Sequence, residues 1–212
     1  MKRFGGNTLR RRYIAFGALT MALGSVAWWG SLDDEPKALY KAHARAAVHT
    51  TTSETPQERR ISDGIQRAFG ERAFVHCTSI PEDLQNKDYR LVGKAITMED
   101  DPLGLSRPAI LLEPTVCDTV IDLADGESSE QDAARSALSL LTVAHEVGHA
   151  LRGIKNEQRA ECFGVAHMTR LATAMNIEPR IAEAGQRYFY MHVAEHAPPE
   201  YFITREFCDS PS

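Results

Sequence analysis

The most constraining stretch of this chain is "VAHEVGHALRGIKNEQRAECFG", residues 143–164, because it repeats one spacing on either side of a glycine. His145 and His149 stand four apart, and so do Glu157 and Glu161. Residues four apart on a helix project from the same face about one turn apart, so each pair aims two polar groups in one direction. Gly153 permits the chain to reverse, Asn156 suits the N-cap of a new helix, and Glu157 falls in its first turn, where a carboxylate is favoured. The segment predicts a tight antiparallel helical hairpin with two histidines on one arm and two glutamates on the other.

That residue set suits a metal ion. A catalytic zinc takes three protein ligands and keeps a fourth position for water. His145 and His149 can both give a ring nitrogen to one Zn2+ per chain, and Glu157 supplies the third ligand from the returning helix. Glu146, one step round from His145, can lean over the same ion as a general base without binding it. Glu161 then accepts a histidine N–H and fixes its tautomer. The spacing alone leaves the roles of Glu157 and Glu161 exchangeable. The alternative to a metal site is a polar hairpin whose histidines are merely hydrogen-bonded.

"HEVGH" followed by "NEQRAECFG" resembles the gluzincin metallopeptidases, whose third zinc ligand is a glutamate on the following helix. The second-helix pattern Glu157, Ala160, Glu161 is similar to that of small neutral zinc metallopeptidases and membrane-linked zinc proteases, which usually carry aspartate where Glu161 stands. The likeness spans about residues 138–164. It implies a zincin-like α+β fold, with a small sheet packed on a long active-site helix and a glutamate-bearing helix after it, and hydrolysis of a peptide or protein substrate. A metzincin is excluded, because Arg152 and Lys155 stand where that pattern needs glycine and a third histidine.

The surrounding sequence fits such a core. "SSEQDAARSALSLLTVAHEVGHALRG" predicts one long helix, opened by Ser128 and Gln131 in capping-box spacing and stopped at Gly153, with nothing between to break it. Gly148 gives that helix a thin side for a neighbour. "ERRISDGIQRAFG" spaces Ile61, Ile65 and Phe69 by four on a short helix ending at Gly70. "AFVHCTSI", "YRLVGKAITM" and "PAILLEP" read as strands, separated by turn-rich "NKD" and "EDDPLG". "PAILLEP" is the expected edge strand for an extended peptide to join. "CDTVIDLAD" is either a short helix or a turn.

Residues 1–30 differ in character. Lys2, Arg3, Arg10, Arg11 and Arg12 meet no acid in the first twelve residues, which leaves −10 (−5 minus 5) on the remainder. The uncharged run 13–30 follows, with Trp28 and Trp29 at its end and Asp33, Asp34 and Glu35 beyond. A basic flank, an apolar run near bilayer length and an acidic flank predict a membrane segment oriented N-in, C-out. It serves as an anchor if retained and leaves a secreted protein if cleaved. Residues 31–56 read as a linker that includes His43 and His49, and 57–212 as the metallopeptidase-like domain. Nothing in the composition suggests a nucleic-acid partner.

An extracytoplasmic domain makes its cysteines interpretable. Cys77, Cys117, Cys162 and Cys208 allow three pairings, and chain order favours Cys77–Cys117 with Cys162–Cys208. The second pair would fold the C-terminus back over the hairpin, offering Tyr188, Tyr190, His192, His196 and Tyr201 as oxyanion donors without choosing among them. "HVAEH", 192–196, matches an inverted zinc motif, but Pro198 and Pro199 leave no helix to supply a third ligand. The sequence thus points to a membrane-anchored zinc peptidase. Its rivals are a catalytically inactive zinc-stabilised domain that binds a partner at the membrane surface, and a metal-free structural domain stapled by disulfides.

Overall fold

The computed structural model describes residues 54–80, 92–96, 108–127 and 130–210. The basic cluster, the apolar run 13–30, His43 and His49, Ser128, and the turns "NKD" and "EDDPLG" lie outside the described residues, as does the side chain of Gln131. Among the described residues no helix is long and apolar enough to cross a membrane.

The fold is α+β and mostly helical, with one small mixed sheet. Helix α1 (Pro56–Phe69) ends at Gly70, whose φ of 81° is the left-handed conformation that a glycine adopts freely. It begins at Pro56, the expected junction of linker and folded domain. Thr55 caps it through a reciprocal bond with Glu58, and Glu58 Oε1 also takes the Cys77 amide at 2.8 Å. Glu54 accepts from Arg72, Ser62 and the Val75 amide. Glu54, which reads as spacer, therefore joins Glu58 in pinning α1 to the first strand.

Strands β1 (Phe74–Cys77), β2 (Gly93–Ile96) and β3 (Ala109–Leu112) fall inside the three expected stretches. Their order is β1-β3-β2, with β1 parallel and β2 antiparallel to β3. The expectation that "PAILLEP" forms an edge is therefore corrected. β3 is the central strand, hydrogen-bonded on both sides and buried at every residue, and this is what its unbroken apolar run encodes. Val75, Ile110 and Leu112 face the helices, while Phe74, Ile96, Ala109 and Leu111 cluster on the other face. "CDTVIDLAD" is helical, within α2 (Pro114–Asp125).

The long helix is also corrected: it is two helices, α3 (Glu130–Ser136) and α4 (Leu138–Arg152), joined at Ala137. No local breaker is present. Helix α6 (Pro179–His192) lies so close that a Cβ on Gly185 would sit 2.5 Å from the Ala137 Cβ and 3.3 Å from the Ala134 carbonyl oxygen. α3 packs on α6, while α4 packs on the sheet and on α5 (Glu157–Ala174), its principal neighbour. A 3-10 turn (Ala194–His196) and α7 (Arg205–Asp209) complete the chain.

Disulfides join Cys77 to Cys117 and Cys162 to Cys208. The first ties the end of β1 to α2 and the second ties α5 to α7.

Candidate metal centre

The hairpin forms as its spacing predicts. α4 ends at Gly153 (φ 63°), and the Ile154 amide returns to the Gly148 carbonyl at 3.1 Å. Asn156 then caps α5 by accepting the Arg159 amide at 2.9 Å. Two glycines allow the arms to meet closely. A Cβ on Gly148 would lie 3.1 Å from Phe163, and one on Gly164 would lie 2.8 Å from Leu141 Cδ1 and 3.2 Å from the His145 amide nitrogen. Arg152 reaches back to the Phe69 carbonyl at 3.0 Å and to Glu71, fastening the hairpin to α1.

This packing brings together His145, His149 and Glu157 as a group that could hold a metal ion. The two Nε2 atoms are 3.0 Å apart, and Glu157 Oε2 lies 3.2 Å from that of His145 and 3.1 Å from that of His149. Glu157, not Glu161, meets both rings. Glu161 Oε2 instead lies 2.8 Å from His145 Nδ1, and the Ile154 carbonyl takes His149 Nδ1. Because that carbonyl can only accept, His149 carries its proton on Nδ1, and the Glu161 carboxylate selects the same tautomer in His145. Both Nε2 lone pairs then point at each other and at a carboxylate oxygen. Three acceptors this close need a cation or a shared proton between them.

The residues fit zinc on that observation. Tetrahedral zinc with bonds of about 2.0–2.1 Å keeps its ligand atoms about 3.3 Å apart, and the three distances here come within a few tenths of an ångström of that. Without a cation a proton serves. Burial opposes charging His145, but hydrogen bonds to Glu157 and Glu161 push the imidazole up to about 10. Burial would raise Glu157, yet its bonds to His145 and His149 hold it well below the usual carboxylate range. Glu161 is raised by burial against the pull of His145. Its exposure of 1%, beside 4% for His145 and 7% for Glu146, makes this a dry cluster.

Of the five aromatic and histidine candidates from the C-terminal region, Tyr201 comes to the site. It is buried, with its ring centroid 6.3 Å from that of His145. Gln158, one residue past Glu157, holds its loop by donating to the carbonyls of Pro199 (3.2 Å) and Phe202 (2.8 Å). Tyr188 accepts from Arg135 at 3.3 Å and meets the His192 ring at a tilt of 50°, and Tyr190 lies under Arg205. His192 and His196 are exposed. Sequence reasoning missed Gly93, Gln158, Gly164 and the Ile154 carbonyl. Gly164 and Gly93 had a signal, a glycine inside a helical or strand pattern; Gln158 and the Ile154 carbonyl act through contacts that local spacing does not encode.

No known family, curated protein or solved structure matches this chain.

Proposed function

We propose that this chain is a zinc-dependent peptidase of gluzincin type with a zincin-like core, held outside the cytoplasm by its N-terminal segment. The observation that carries the reading is the convergence of His145 Nε2, His149 Nε2 and Glu157 Oε2 with both Nδ1 atoms already committed. A hydrogen-bonded hairpin would hold the same cluster through a proton on His145, so zinc content separates the two readings. The two disulfides support an oxidising compartment.

Zinc held there would supply a water of lowered pKa and an electrophile for the scissile carbonyl. The chain's own residues do the rest. Glu161 and the Ile154 carbonyl hold the two imidazoles in the tautomer that presents Nε2. Glu146, beside His145 and nearly dry, takes the proton from the attacking water and delivers it to the leaving amine. Tyr201, whose ring lies beside that of His145, is the candidate donor to the developing oxyanion that this reading favours. An extended peptide substrate adds alongside β2, which packs on α4, in place of the central β3.

The test is zinc per oxidised full-length chain, followed by hydrolysis of a peptide mixture. One zinc in the wild type, lost in Glu157→Gln, with hydrolysis abolished but zinc retained in Glu146→Gln, is the expected result. Zinc retained without hydrolysis in the wild type would favour the inactive zinc-stabilised binding domain. A well-folded wild-type chain with no zinc would leave only a structural hairpin.

A further inference from the structure

We propose that Gly93 is a positioning residue for Glu146: the edge strand carries a glycine there to make room for the glutamate's carboxylate. This deepens the peptidase reading and rests on it for the role of Glu146. A Cβ built on Gly93 would lie 2.8 Å from Glu146 Oε1, 2.9 Å from Cγ and 3.1 Å from Cδ. It would overlap the end of that side chain along its length rather than brush its tip.

Conformation does not explain the glycine. The positive-φ glycines among the described residues are Gly70, Gly126 and Gly153, so Gly93 stands where any L-residue can. The requirement is steric. Nor can the strand retreat. Gly93 is buried and registered opposite Leu112, and the neighbouring Val92 carbonyl accepts the Glu113 amide at 2.9 Å. Glu146 has equally little freedom at its root, since it sits on α4 between the Gly148 and Gly164 contacts that fix that helix against α5. A methyl at 93 therefore transfers its displacement to the carboxylate, which must leave the place it holds beside His145. Gly93 touches neither the ligand atoms nor a substrate; it acts through Glu146.

This makes the edge strand part of the acid–base apparatus. β2 would both align an extended peptide and, through one missing side chain, hold the proton acceptor against the backbone of the strand that the peptide joins.

The test uses Gly93→Ala, Glu146→Ala, Glu146→Gln and the Gly93→Ala/Glu146→Ala pair in the full oxidised chain. One readout is binding of acetohydroxamic acid to the zinc-loaded proteins by calorimetry. That probe chelates zinc through its two oxygens and passes its hydroxyl proton to a nearby carboxylate. In Gly93→Ala zinc affinity stays at the wild-type value. Hydroxamate affinity falls about tenfold to a hundredfold, the worth of one charge-assisted hydrogen bond, toward the level of Glu146→Gln. Unchanged hydroxamate affinity in Gly93→Ala overturns the proposal. The second readout needs no metal: if Gly93→Ala lowers the melting temperature, truncating Glu146 restores it in the pair. A loss that Glu146→Ala does not relieve places the crowding elsewhere and also overturns the proposal. Absence of zinc in the wild type would instead sink the peptidase reading, and the melting comparison would still decide whether Gly93 and Glu146 share this space.

Discussion

Two pentapeptides in this chain have nearly the same composition and opposite fates. "HEVGH" at 145–149 and "HVAEH" at 192–196 each place two histidines four apart with a glutamate between. The first lies wholly within α4, so its rings leave one face and converge at 3.0 Å, with Glu157 across the hairpin. The second straddles an ending. α6 stops at His192, Val193 takes φ −114° and ψ −50°, and His196 belongs to a separate 3-10 turn, both histidines in solvent. Helical spacing assembles a candidate site only where the helix continues through it, a second element faces it, and burial makes unpaired nitrogens intolerable.

The contrast can be broken or sharpened by substitution. His149→Ala has the largest expected effect, complete loss of stoichiometric zinc measured on the dialysed protein; retained zinc would mean that α4 is no more a metal helix than 192–196. Glu161→Gln comes next, lowering zinc affinity about 10- to 100-fold in a competition titration against a chelator, because His145 Nδ1 loses its carboxylate. Gly164→Ala probes the facing element instead of the motif. Its Cβ meets Leu141 and the His145 backbone, so the urea midpoint should report a loss of about 1–3 kcal/mol. The smallest effect belongs to the other pentapeptide: His192→Ala with His196→Ala leaves zinc content unchanged and stability within about 0.5 kcal/mol. A zinc loss there would erase the distinction.

What the sequence discloses divides along the same line. The hairpin is legible because everything that shapes it is local: the two four-residue spacings, Gly153 to turn, Asn156 to cap. Strand positions are legible from apolar runs, but the place of β3 in the middle of the sheet depends on which strands pair with it, and no residue within "PAILLEP" records that. The bend at Ala137 is invisible for a related reason. Alanine favours helix, and what meets Ala137 there is Gly185, from some fifty residues further along the chain. Thr55 and Glu54 read as linker because Thr and Pro surround them, yet the capping box with Glu58 was there to be found. Gly93 could be noticed as a glycine inside a strand pattern, but its partner Glu146 could not.

The hairpin's brevity has a thermodynamic consequence. His145 and Glu157 are 12 residues apart, and neither the sheet nor a disulfide intervenes between them. A loop that short closes readily in a denatured chain, so the same three side chains can gather a cation before the rest of the protein is built. Ligand linkage stabilises a fold only by the difference between its affinities for the native and unfolded ensembles. A metal ion held there would therefore raise the unfolding free energy by less than its native-state binding constant implies.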